Sequence, residues 1–133
     1  LGADSLSANV RVILGDSMGE LYAYYAACDV AFVGGSLLPL GGQNLIEAAS
    51  VGRPVLIGPH TFNFAEAAAL AIEMGAARRV QDAEELMAVA TNLLTNNASR
   101  EAMGHAGQMF AARHRGATAR LVTLIEPLID TAR

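Results

Sequence analysis

Apolar positions in this chain fall into two kinds of run that alternate from residue 10 onward. Short apolar runs rich in β-branched residues at 10–14, 30–33 and 55–57 predict strands, and 77–80 reads as a further short strand. Their near-continuous apolar character predicts a sheet with helices on both faces. Ala-rich stretches predict helices over 18–27, 45–50, 64–74, 84–94, 99–114 and 117–129, and Gly52 and Gly75 supply helix stops. Strands that alternate with helices at this spacing predict an α/β domain with a Rossmann-like parallel sheet flanked by helices. Three or four strands are fewer than the about six of a complete dinucleotide-binding domain. The sheet is therefore expected to be minimal or to lack its first strands. Residues 1–9 carry no pattern and are expected to be a disordered or linker lead-in. Residues 10–133 then form one domain, whose last helices, about 99–130, pack on the side or end of the sheet.

Composition narrows the function classes. Of 133 residues, 53% are hydrophobic and 17% charged, enough apolar material for a core and too much for a disordered chain. The net charge is −4 and all nine basic residues are arginine, without a basic run, so nucleic acid is not the expected partner. A phosphate ligand remains compatible, because backbone amides at a helix start hold one without lysine. Cys28 is the only cysteine. It excludes a disulfide within the chain, fits a reducing compartment and is expected as a small buried apolar residue. Apolar stretches are interrupted well short of the ~20 residues that cross a bilayer. The sequence opens without Met, which suggests a piece of a longer protein.

Four times a helix-capping residue precedes a glutamate by three positions: Ser17/Glu20, Asn44/Glu47, Asn63/Glu66 and Asp82/Glu85. This is capping-box spacing and predicts four capped helix starts. Two of these junctions also carry glycines. "LGDSMGE" sets Gly19 in an expected first helical turn, where glycine costs ~1 kcal/mol relative to alanine and so suggests close approach by another group. "VGGSLLPLGGQNLIE" leads through Gly41 and Gly42 into a helix. Bare backbone followed by unpaired amides makes an anion site, and ligands of open parallel sheets sit at such strand ends.

On this reading, amides near Gly42, Gln43, Asn44 and Leu45 hold a phosphate. Glu47 accepts from a ribose diol, since a carboxylate offers two acceptor oxygens to two hydroxyls. Glu20, or the amides of Met18 and Gly19, meets the base or ribose. In "GPHTFNF", His60 or Thr61 helps hold an anion, or His60 is a loop histidine bonded to backbone. Phe62 and Phe64 are expected to serve as core or hinge packing. A tight turn with a cap remains the alternative for the glycine loop. His60, His105 and His114 lack metal-ligand spacing, and the last two are expected on helix surfaces. Residues 113–115 place arginines at a helix end, where cations suit the dipole. No nucleophile elbow, G-x-G-x-x-G or P-loop lysine is present.

The stretch 15–68, with GDSMGE, DVAFVGGS, GGQNLIE and GPHTFNF in this order, resembles the C-terminal domain of the 3-deoxy-D-manno-octulosonate (Kdo) transferases, which act on lipid A in Gram-negative bacteria. That family carries G-D-T-M-G-E, D-x-A-F-V-G-G-S, G-G-H-N-x-x-E and G-P-H-T-F-N-F, and the resemblance extends over about residues 10–130. It implies the second half of a two-domain GT-B glycosyltransferase that binds CMP-Kdo as donor, with no other cofactor. The family's nucleotide contacts map onto Met18, Gly19 and Glu20, and onto Asn44, Leu45, Ile46 and Glu47. Ser17 replaces the usual threonine, Gln43 the usual histidine and Leu45 a frequent proline. Gln43 keeps a hydrogen-bonding group but not a titratable one. The resemblance further implies that the catalytic acid, the site for the lipid A precursor (lipid IVA) and the membrane anchor lie in an N-terminal domain outside this chain. It implies a place at the cytoplasmic face of the inner membrane and no activity for this chain alone. Two other readings remain open: the donor domain of another GT-B enzyme using a UDP-sugar, and a non-catalytic α/β module.

Overall fold

The structure, a computed structural model, describes residues 7–114 and 117–130. Three short strands, β1 (Ala31–Phe32), β2 (Val55–Ile57) and β3 (Ala77–Arg79), form one parallel sheet in the order β1-β2-β3. Ala31 pairs with Val55, and Val55 in turn with Ala77. Helix α1 (Leu21–Ala27) precedes β1. Helix α2 (Ile46–Ser50) joins β1 to β2, and a 3-10 turn (Phe62–Phe64) with α3 (Ala65–Glu73) joins β2 to β3. Helices α4 (Ala83–Thr95), α5 (Asn97–His114) and α6 (Ala117–Asp130) follow.

The central strand is buried on both faces, which is why its apolar run is unbroken. Val55 and Ile57 face a core with Leu45, Ala48 and Ala49 around α2, Ala68 and Ala71 of α3, and Phe110 of α5. Leu56 points the other way, to Val80 and to Val89 and Leu93 of α4. Both crossover helices therefore lie on one face, with the strands advancing in sequence order. Ala48 and Ala49 of α2 and Ala68 and Ala71 of α3 are fully buried and bring helix backbone close to the sheet. Helix α5 lies against α2. At Gly104 a side chain would overlap the Gly52 carbonyl oxygen, so glycine is required for that approach.

Several expectations are corrected. Residues 10–14 form no strand: Val12, Ile13 and Leu14 are 86%, 63% and 85% exposed. A strand needs a ladder partner as well as an apolar pattern, and no described strand lies beside this segment. Helix α1 begins at Leu21, so Gly19 lies before it, at φ 81, with open space where a side chain would stand. The left-handed backbone at this position accounts for the glycine, and no described protein group approaches it. Within α6, Leu121, Val122, Leu124 and Ile125 are 47–68% exposed, so these side chains do not pack into the sheet's core. His114 is half-buried with its ring 4.6 Å from that of Phe110, and its buried Nε2 finds no hydrogen-bond partner among the described residues. His105 is exposed, as expected. Phe62 is 64% exposed rather than core. Cys28 is half-buried, and its thiol donates to the Tyr25 carbonyl at 3.2 Å. Arg113 sits in the last turn of α5. Arg115 and residues 1–6 of the lead-in lie outside the described residues.

Candidate functional site

Loops leave the carboxyl ends of all three strands, and they are tied to one another. Ser36, fully buried, is one junction. Its hydroxyl donates to the Val33 carbonyl at 2.5 Å and accepts from the Gly58 N–H at 2.8 Å. Its carbonyl accepts from the His60 N–H at 2.9 Å. Asn63 forms a second junction. Its N–H donates to the Gly41 carbonyl at 3.2 Å, and its side-chain amide reaches the Leu40 and Gly42 carbonyls at 3.4 Å. Arg79, at the end of β3, forms the third. Its Nη1 donates to the Gly58 and Pro59 carbonyls at 3.0 and 2.9 Å, and its Nη2 to the Thr61 hydroxyl at 3.3 Å.

Gly41 and Gly42 are buried inside this bracing at φ 90 and 74. L-residues avoid that region, and a side chain on Gly41 would overlap Asn63 and the Phe62 ring. The two glycines turn the chain into α2, where the amides change hands. The Gly42 N–H is spent on the Gly35 carbonyl at 3.0 Å, and the Ile46 N–H on Asn44 Oδ1 at 2.9 Å. Among the described residues no partner is found for the N–H groups of Gln43, Asn44 and Leu45. The expected phosphate donors are thus corrected: Gly42 shapes the loop without offering its amide. Helix α2 spans five residues, so these amides, rather than a long helix dipole, are what the loop presents. The Leu45 side chain is 1% exposed and belongs to the core, whereas Gln43 is exposed. His60 is half-buried, and its backbone N–H donates to the Ser36 carbonyl.

Of the four capping boxes, one forms closely. Asp82 accepts from the Glu85 N–H at 2.9 Å, while Glu85 accepts at 2.8 Å from the Gln81 N–H, one residue earlier than the motif prescribes. Asn44 caps Ile46 two positions on, without a return bond from Glu47. Asn63 instead donates its side-chain amide to the glycine loop, and α3 has no side-chain cap. Ser17 turns its hydroxyl to the Glu20 carboxylate and stands 2.6 Å from the Tyr24 hydroxyl. This pair caps no amide of α1; it holds the Glu20 side chain at the start of the helix.

Glu20 is half-buried, and Met18 is 96% exposed. Gly15, Ser17, Met18, Gly19, Leu21 and Tyr24 line an open cavity of about 280 Å³. Helix α1 packs on α2. Burial pushes the Tyr25 phenol above its ordinary value, and the Glu47 carboxylate on α2 adds to this. Glu47 therefore lies within electrostatic reach of α1. Burial also raises the Cys28 thiol, against a lowering influence from Arg53. Among the described residues no hydrogen bond joins 18–20 to 41–47. No described group of three or more His, Cys, Asp or Glu could hold a metal ion. No described helix is long and apolar enough to cross a membrane.

Sequence reasoning missed Tyr24, Ser36 as a junction, Asn63 as a brace and Arg79. Their roles depend on residues 7 to 23 positions away in the chain, beyond any local motif.

Residues 3–110 match the family model described as glycosyl transferases group 1. A 3-deoxy-D-manno-octulosonic acid transferase of Bordetella pertussis is 50% identical over 94% of this chain, and that of Haemophilus influenzae is 42% identical over 92%. The chain spans 29% of the length of each of these relatives. The crystal structure of the C-terminal CMP-Kdo binding domain of WaaA from Acinetobacter baumannii matches with a TM-score of 0.69 at 34% identity. That match covers 72% of this chain and 50% of that one. The resemblance noted from the four ordered motifs and the Rossmann-like fold are both borne out by these likenesses.

Proposed function

The chain belongs to the glycosyl transferases group 1 family, and we propose that it is the donor-binding domain of a Kdo transferase. The whole enzyme passes Kdo from CMP-Kdo to a hydroxyl of a lipid A precursor such as lipid IVA and releases CMP. The observation that carries this reading is the likeness to a CMP-Kdo binding domain, at 34% identity and a TM-score of 0.69.

The N–H groups of Gln43, Asn44 and Leu45 hold the donor phosphate, and Glu47 accepts from the ribose hydroxyls. Met18, Gly19 and Glu20 meet the base or ribose from the neighbouring junction. Gly41 and Gly42 shape the loop, Ile46 keeps it closed through Asn44, and His60 adds a polar group beside it. As the bond to the sugar breaks, charge builds on the leaving phosphate. Fixed amides offset that charge without having to reorganise. The acceptor site, the catalytic acid and the membrane contact at the cytoplasmic face of the inner membrane belong to another part of the protein.

Titration with CMP and with UDP tests the reading. CMP is expected to bind in preference, and Glu47→Gln to weaken it by about 10- to 150-fold, the loss of a charge-assisted hydrogen bond worth about 1.5–3 kcal/mol. Preference for UDP favours a different transferase of the same fold. Absence of CMP binding by both the chain and the full-length protein leaves the reading without support.

A further inference from the structure

Arg79 occupies the end of β3, the strand farthest from the glycine loop, yet its guanidinium commits three hydrogen bonds to residues 58–61 after β2. Nη1 holds two successive carbonyls, those of Gly58 and Pro59, at 3.0 and 2.9 Å. The peptide joining Pro59 to His60 is planar and trans, so its C=O and N–H point in opposite directions. Its C=O is fixed by Arg79, and its N–H meets the Ser36 carbonyl at 2.9 Å. The orientation of this one peptide therefore aligns the backbone bond between the loop after β2 and the loop after β1, beside the bonds made by the Ser36 hydroxyl and Asn63. Beyond it, the His60 carbonyl lies where a side chain on Gly42 would meet it at 3.4 Å. The glycine turn thus sits against the 60–61 peptide, the one that follows the peptide whose carbonyl the guanidinium holds. A planar fork fixes two acceptors in one plane, which an ammonium does not.

We propose that Arg79 is a positioning residue for the donor: through the 59–60 peptide it sets the turn that presents the phosphate-binding amides. The proposal rests on the donor-binding reading above. Arg79 touches no substrate, and its effect passes through Pro59, His60 and Ser36.

The test uses the full-length protein carrying this chain, with Arg79→Gln, Arg79→Lys and Thr61→Val. Arg79→Gln is expected to raise donor KM and CMP Kd about tenfold, since displacement of a binding group by around 1 Å suffices for losses of that order. Arg79→Lys recovers part of this, because one N–H donor can still reach one carbonyl. Thr61→Val, which removes the Nη2 partner alone, raises donor KM less. Acceptor KM stays at the parent value in all three. Leu93→Ala, a core change on the other face of the sheet, lowers Tm and leaves donor KM unchanged.

A folded Arg79 variant with parental donor KM overturns the proposal. So does one whose donor and acceptor KM shift together. If Arg79→Gln does not fold, Arg79→Lys and Thr61→Val are judged by the same criteria. The two readings fail separately. A parent that does not bind CMP removes the donor-binding reading. A parent that binds CMP and is weakened by Glu47→Gln, with Arg79 variants unaffected, removes only this one.

Discussion

The Ser36 hydroxyl accepts the Gly58 N–H at 2.8 Å across 22 positions of sequence, tying the end of β1 to the end of β2 in a fully buried setting. Ser36→Ala leaves that amide without a partner, at a cost of about 1–3 kcal/mol. A drop in Tm of several degrees is expected, with weaker CMP binding, because the same residue anchors His60. An unchanged Tm in a thermal melt would show that water replaces the bond at no cost.

Gly41→Ala and Gly19→Ala form a contrast. Both positions have positive φ, so each substitution carries about 1–2 kcal/mol of backbone strain. At Gly41 the new methyl also overlaps Asn63 and Phe62, whereas at Gly19 it meets open space. Gly41→Ala is expected to lower Tm and to weaken CMP binding about tenfold, the equivalent of ~1.4 kcal/mol. Gly19→Ala is expected to lower Tm less. Equal losses for the two would mean that the braces around Gly41 give way freely.

Gly104→Ala sets helix propensity against packing. Alanine gains about 1 kcal/mol over glycine in a helix interior. The added methyl, however, overlaps the Gly52 carbonyl where α5 crosses α2, and overpacking costs about 1–3 kcal/mol. Net destabilisation is expected in denaturant titration. A more stable variant would place the two helices farther apart than described.

Alkaline pH should expose the Tyr25 environment. Burial, then Glu47, raises the phenol above its ordinary 10.0, and burial raises the Cys28 thiol above its ordinary 9.0. A group with a raised folded value stabilises the fold fully below its unfolded value and loses that contribution as pH rises through the folded one. Tm should therefore decline from near the ordinary thiol value upward. Tyr25→Phe is expected to flatten the later part of that decline, and Cys28→Ala the earlier part. Tm profiles of parent and variants that superimpose across this range would assign the alkaline loss to other groups.

The isolated chain is expected to bind nucleotide without turning over CMP-Kdo and a lipid A precursor. Product formation by it would place the catalytic groups within these 133 residues.

Order of elements and the glycine loop were legible in the sequence because each rests on a local cause. The apolar run at 55–57 became β2 because apolar residues must leave water whatever they pack on. Gly41 and Gly42 announced a turn because only glycine enters that backbone region without strain. The stretch 10–14 carried an equally good strand pattern and formed none, since a ladder needs a second chain segment alongside. At Ser17 and Asn63 no capping box forms: the Ser17 hydroxyl bonds the Glu20 carboxylate and the Asn63 amide the glycine-loop carbonyls.

By itself, then, the sequence determined the α/β alternation, the glycine turn before α2 and the order of motifs shared with Kdo transferases. Only the tertiary structure decided which amides beside that turn stay unpaired, and that Ser36, Asn63 and Arg79 brace it. Periodicity and backbone permissiveness are properties of neighbouring residues. Hydrogen-bond partnership depends on which groups the folded chain brings within about 3 Å.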